Sequence, residues 1–231
     1  MVQSKVQPEI LNRVFGLYYN GRVGTAFTME CKGSQFLVTA KHMFRRSAFP
    51  ESTTIGLLTE EGKYTPYEVE IKYPKNQQVD IAVMKLKDNQ YISKEYSNPN
   101  TSKELALGQD VFYLGFPSGY DKVLMPFSGT KRPIPFIKKA CFSGRFNNLH
   151  TRMIFDGYVN EGFSGGPVCY KPDSSEIMSI AAVVAHYYPE KQPVINKDCQ
   201  SVGSYVETNT GIIIAYDISE AVKVAERWNV I

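Results

Sequence analysis

The feature that most limits what this chain can fold into is a recurrence of short β-rich runs, each bounded by turn residues, along nearly its whole length. Six fall in the first part: Val14 to Tyr19, Gly24 to Met29, Gln35 to Thr39, Thr54 to Leu58, Tyr67 to Lys72 and Ile81 to Leu86. Six more follow at Asp110 to Gly115, Ile137 to Ser143, Met153 to Tyr158, Pro167 to Lys171, Ile177 to His186 and Gly211 to Tyr216. Runs this short at this spacing suit antiparallel β structure closed into barrels. No segment between them carries the helical pattern of about 10–15 residues that βαβ crossovers need, which disfavours a doubly wound parallel sheet.

The expectation is therefore an all-β protein of two six-stranded antiparallel barrels. The polar stretch Asp88 to Glu104, with Asn98-Pro99-Asn100, reads as the passage between them. This divides the chain into an N-terminal barrel over 1–93, a linker over 94–108 and a C-terminal barrel over 109–231. One helix closes the chain. In Asp217 to Trp228 the residues Ile218, Ala221, Val222, Ala225 and Trp228 share a helical face, and Asp217 with Glu220 fits a capping box.

Composition removes several classes of function. The 26 basic and 23 acidic side chains leave a net charge of +3, with no basic block, so nucleic acid is not an expected partner. Met1 to Ile10 is polar, and no apolar run approaches the roughly 18 residues that span a bilayer. A membrane partner is not expected, and the localisation reads as cytoplasmic unless a signal peptide has been removed. Four cysteines, at 31, 141, 169 and 199, lack the close paired spacing of a zinc site and are too sparse for a disulfide scaffold. No metal and no organic cofactor is implied.

The string Glu161-Gly162-Phe163-Ser164-Gly165-Gly166-Pro167 carries the most chemical information. Glycines allow a tight turn and leave amide N–H groups accessible, which an oxyanion hole beside a nucleophile requires. Gly162 and Ser164 would supply those donors. A Gly-rich hairpin with an incidental serine is the plain alternative. A serine hydroxyl is a weak nucleophile and needs a positioned base, for which the chain offers three histidines: His42, His150 and His186. His42 ends the run Phe36-Leu37-Val38-Thr39-Ala40-Lys41, an apolar strand leading into a small-residue turn. A carboxylate that orients such a base is best sought at Asp80, which opens the hydrophobic run Ile81 to Leu86. Taken alone, each residue has an ordinary structural explanation; together they describe a triad.

Thr39-Ala40-Lys41-His42, Asp80-Ile81-Ala82-Val83 and Gly162-Phe163-Ser164-Gly165-Gly166-Pro167 resemble the trypsin-like serine proteases, and the order His, Asp, Ser is the chymotrypsin order. Gly24-Thr25-Ala26-Phe27 and Leu114-Gly115-Phe116-Pro117 are similar to segments of bacterial trypsin-like enzymes. Gly211-Ile212-Ile213-Ile214-Ala215 resembles the closing strand of the high-temperature-requirement proteases, here without a PDZ-type domain. The resemblance implies the chymotrypsin-like fold, a polypeptide substrate, and a serine endopeptidase working through His42, Asp80 and Ser164. It also places Tyr158, six residues before the serine, at the base of the primary pocket, and Val184 and His186 on the wall that receives substrate.

The sequence departs from that family in ways that matter. Secreted trypsins carry aspartate before the serine, where this chain has Phe163, so their zymogen switch is not expected. Met43 follows His42, and the cysteine staple around the base is missing. Cys141 and Cys169 occupy regions where secreted relatives carry a bridge, and the expectation is that they lie on neighbouring strands. Tyr158 in place of an acid does not support cleavage after Lys or Arg. The pocket histidine of glutamate-preferring relatives falls near Val183 in this chain, and His186 also reads as a surface histidine. Restraint of activity is then expected from a partner protein, from assembly or from ordering of the oxyanion loop.

Two other readings fit parts of the sequence. Gly162-x-Ser164-x-Gly166 matches the nucleophile elbow of α/β-hydrolases, with Asp173 and His186 downstream; that esterase reading requires a helix straight after the serine. A trypsin fold used only for binding, inactive or latent until its oxyanion loop is ordered, is the other.

Overall fold

The structure is a computed structural model that describes residues 5–45, 49–59, 62–87, 92–93, 98–119, 133–146 and 149–228. After a single helical turn, α1 (Pro8–Leu11), six strands follow in the first half: β1 (Val14–Tyr19), β2 (Arg22–Cys31), β3 (Ser34–Thr39), β4 (Ser52–Leu58), β5 (Tyr64–Lys72) and β6 (Ala82–Leu86). The second half supplies β7 (Asp110–Gly115), β8 (Phe136–Phe146), β9 (Leu149–Asp156), β10 (Pro167–Tyr170), β11 (Ser179–Ile195), β12 (Ser201–Asp217) and the helix α2 (Ser219–Glu226).

These strands close into two antiparallel barrels, in the orders β1-β2-β3-β6-β5-β4 and β10-β11-β12-β9-β8-β7. Period-two burial shows why some of these strands form, while β3 and β10 are buried almost throughout. In β5, Val69 and Ile71 are buried while Glu68 and Glu70 between them are exposed. In β8, Ala140 and Phe142 point inward while Lys139 faces water. Such alternation lets one strand cover a core and meet solvent at once.

Each barrel has an apolar interior, and a third cluster joins them. Val14, Phe27, Phe36 and Val38 of the first barrel pack with Leu114, Phe116, Val183 and Tyr216 of the second and with Ala221, Val224 and Ala225 of α2. The two ends of the chain clasp opposite barrels. Gln7 donates to the Glu176 carbonyl at 2.7 Å and accepts from the Met178 N–H at 3.0 Å. Trp228, just past α2, stacks on Phe36 at 5.3 Å, and Lys72 sits over its ring.

Three elements differ from expectation. The helix spans Ser219–Glu226 because Asp217 still belongs to β12. Asp217 accepts from the Ser219 N–H at 2.9 Å, and Glu220 turns to Lys223 instead of closing a capping box. β11 and β12 run on past the barrel as a two-stranded ribbon over residues 188–210, where β11 passes from wholly buried to almost wholly exposed. Cys141 and Cys169 lie on β8 and β10, with β7 between them, and both are free thiols. The expected linker lies partly outside the described residues; in its described portion Asn100 bridges to Ile180.

Among the described residues no helix is long and apolar enough to cross a membrane, and no group of three or more His, Cys, Asp and Glu side chains could hold a metal ion.

Candidate active site

His42 sits in the 3-10 turn Lys41–Phe44 that ends β3, and Asp80 lies just before β6, the strand that pairs with β3. That pairing brings the two side chains together. The His42 N–H donates to Asp80 Oδ1 at 2.8 Å, and Nδ1 lies 2.6 Å from Oδ2. An ionised carboxylate can only accept, so Nδ1 carries the proton and Nε2 is left as the basic nitrogen. Burial acts to raise the Asp80 pKa, but the hydrogen bonds and charge of His42 outweigh it and hold the carboxyl below its ordinary value. The imidazole is therefore fixed in one tautomer by a neighbour that stays charged.

Ser164 occupies the turn between β9 and β10 in the second barrel. Two glycines shape this turn. Gly162 has φ +93° and Gly165 φ +86°, and a Cβ on either would stand 2.2 Å from a backbone oxygen, that of Phe116 or of Thr25. No other residue type fits those positions. The Val184 carbonyl accepts from the Gly165 N–H at 2.7 Å, and the Val184 N–H donates to the Gly166 carbonyl at 2.9 Å. A bulge follows at once: Val184 pairs with Ala215 but His186 with Ile214, leaving Ala185 as the extra residue. Its carbonyl accepts the Ser164 hydroxyl at 2.9 Å.

The peptide joining Glu161 to Gly162 is oriented from outside. The Ser118 N–H donates to the Glu161 carbonyl at 3.0 Å. In a trans peptide the carbonyl and the following N–H point to opposite sides, so this bond turns the Gly162 N–H away from Ser118. Phe163, where secreted trypsins carry an acid, is fully buried in the second-barrel core and meets Tyr113 edge-on at 5.5 Å. Hydrophobic packing therefore anchors the residue before the serine.

Thr25, on β2, ties the two barrels together at this point. Its N–H donates to the Ser164 carbonyl at 2.9 Å, and its hydroxyl donates to the Gly162 carbonyl at 2.7 Å while accepting from the Phe116 N–H at 3.0 Å. Thr39 completes the knot by donating to the Thr25 carbonyl at 2.7 Å. Nothing in the local sequence marks a strand threonine for this work; the only signal is its place in Gly24-Thr25-Ala26-Phe27.

His42, Asp80 and His186 line one open depression of about 620 Å³, and the Ser164 hydroxyl reaches the carbonyl of the residue before His186. His186 is exposed, yet the protein around its ring lowers its pKa, with the Asp80 charge opposing that shift. Val184 is fully buried, and its backbone holds the serine turn from beneath. Tyr158 is exposed and is not among the residues lining this depression; its carbonyl accepts from the Tyr113 hydroxyl at 2.7 Å and from Lys138 at 2.9 Å. His150 lies in β9, with its side chain outside the described residues. The strand β10 begins three residues after Ser164, where an α/β-hydrolase would have a helix, and this removes the esterase reading.

The family model described as trypsin-like peptidase domain matches residues 24–174, which include His42, Asp80 and Ser164. The chain belongs to the trypsin-like peptidase family. Solved structures of several proteases share its architecture. A serine endoprotease from Yersinia pestis aligns with a TM-score of 0.60 at 16% identity, over 95% of this chain but only 63% of its own. The protease Anisep from Arthrobacter nicotinovorans aligns with a TM-score of 0.60 at 13% identity, over 94% of this chain and 96% of its own. The HtrA-type protease AlgW, solved with a tripeptide, aligns with a TM-score of 0.57 at 17% identity, over 94% of this chain and 60% of its own. At such identities the likeness establishes the fold. A comparison with curated proteins finds no match to this sequence.

Proposed function

We propose that this member of the trypsin-like peptidases is a serine endopeptidase with His42, Asp80 and Ser164 as its triad. The observation that carries this reading is the pair of bonds from His42 to Asp80, which leaves Nε2 as the only basic ring nitrogen. The serine turn is held against the same strand system by Thr25.

In the reaction, Ser164 Oγ attacks a peptide carbonyl of a polypeptide substrate while His42 Nε2 takes its proton. Asp80 stabilises the resulting imidazolium. The N–H groups of Gly162 and Ser164 receive the oxyanion, each donor being worth about 3 kcal/mol in comparable sites. His42 then protonates the leaving amine, and water hydrolyses the acyl-enzyme by the same route. Tyr158 and His186 border the substrate.

The Ser164 hydroxyl is turned to the Ala185 carbonyl, and a rotation about its Cα–Cβ bond precedes attack. That orientation also supports a second reading, a latent form that an activating protein partner switches on. A fluorophosphonate probe and a diverse peptide library, applied to the wild type and Ser164→Ala, test both. Labelling and cleavage that vanish together in Ser164→Ala support the endopeptidase. An unlabelled wild type supports the latent form.

A further inference from the structure

The depression beside His42 has a chemistry of its own. Ser164 is not among its lining residues, so it lies beside the serine and not over it. Lys41 lies at one wall, donating to the Gln77 carbonyl at 2.6 Å and standing 5.3 Å from the Phe49 ring centre. Arg45 is exposed at the opening; its backbone N–H donates to the His42 carbonyl at 3.1 Å, and its guanidinium has no hydrogen-bond or ion-pair partner among the described residues. The one carboxylate present, Asp80, already accepts from two His42 donors. The carboxamides of Gln77 and Gln78 add further donors at the rim. Two cations therefore face an opening whose only acid among the described residues is occupied.

Resting on the endopeptidase reading, we infer that this depression selects substrates with an acidic side chain flanking the scissile bond, held by Arg45 with Lys41 behind it. This site is separate from the primary pocket bordered by Tyr158. A glutamate reaches a guanidinium with two parallel hydrogen bonds, and the exposed Arg45 guanidinium, unlike Lys41, spends none of its donors on another described residue. The apolar face of Phe49 receives the methylenes of the same side chain.

The test uses peptides that differ only in Glu, Gln or Lys at each position within two residues of the cleaved bond. The wild type should prefer Glu over Lys at one such position by about fivefold in kcat/KM, the size of an ion pair partly screened by solvent. High salt should shrink the preference. Arg45→Glu should abolish or invert it, and Arg45→Lys should keep its direction. Arg45→Gln replaces the first variant if thermal melting shows that Arg45→Glu is unfolded. Cleavage without acid preference at any flanking position, or a preference unmoved by Arg45→Glu, overturns the inference while leaving the protease intact. A wild type that neither labels with fluorophosphonate nor cleaves any peptide overturns both.

Discussion

The hydroxyl of Thr25 donates to the Gly162 carbonyl at 2.7 Å, so a side chain of the first barrel fixes the backbone of the glycine two residues before Ser164 in the second. The same hydroxyl accepts from the Phe116 N–H. Thr25→Val keeps the shape and removes both bonds, leaving two buried backbone groups unpaired. A loss of about 1–3 kcal/mol in stability is expected from urea unfolding. The kcat should fall more than KM rises, since the carbonyl released belongs to the residue whose N–H is the proposed oxyanion donor. Thr25→Ser, which keeps the hydroxyl, should recover most of both.

The orientation of the peptide between Glu161 and Gly162 depends on the absence of a side chain. In Gly162→Ala the new Cβ meets the Phe116 carbonyl and the Ser118 N–H, and the turn must shift. Hydrolysis should drop by about 10²–10³-fold, the cost of losing one oxyanion donor, the role proposed for Gly162. Steady-state kinetics on a good peptide substrate reads this directly, with circular dichroism showing that both barrels persist.

Phe163 separates this chain from the secreted trypsins. Phe163→Asp removes a fully buried ring from the second-barrel core, a loss that costs roughly 3–5 kcal/mol, and puts a carboxylate there with Lys138 Nζ, 5.5 Å from the present ring centre, as its neighbouring cation. The variant should melt well below the wild type. Phe163→Leu, which keeps most of the packing, should lie much closer to it.

Asp80 links activity to acid stability. Its folded pKa lies below the unfolded value of 3.8, so its interaction with His42 stabilises the fold above that pH and is lost as pH falls through the folded pKa. In Asp80→Asn the stability deficit against wild type should be full at neutral pH and should shrink in acid, where wild-type Asp80 is itself protonated. Urea midpoints measured across pH test the sign. The kcat of this variant should drop by about 10⁴-fold, the loss found when a triad carboxylate becomes an amide.

Much of the fold is legible in the sequence because most strands cover a core and therefore alternate or run apolar. β1 and β7 were delimited to the residue by this signal. The ribbon beyond the barrel is not legible, because it covers nothing: Glu190, Lys191, Gln192 and Pro193 show no buried face and read as a loop. The one-turn α1 is too short to show a period. At the site, His42, Asp80 and Ser164 stand out because few residue types can do their chemistry. Thr25 and Ser118 do not, since one acts through a common strand hydroxyl and the other through a backbone N–H. Val184 is similarly hidden: its sequence position suggests a surface that meets substrate, while its burial makes it a support.

His42 and Asp80 belong to one barrel and Ser164 to the other, with each chain end gripping the opposite half. Covalent capture of Ser164 by a mechanism-based reagent is therefore a gauge of alignment between halves as much as of chemistry. During gradual denaturation the capture rate should fall before the β signal does. A slip of an ångström at the seam silences the serine while every strand is still paired.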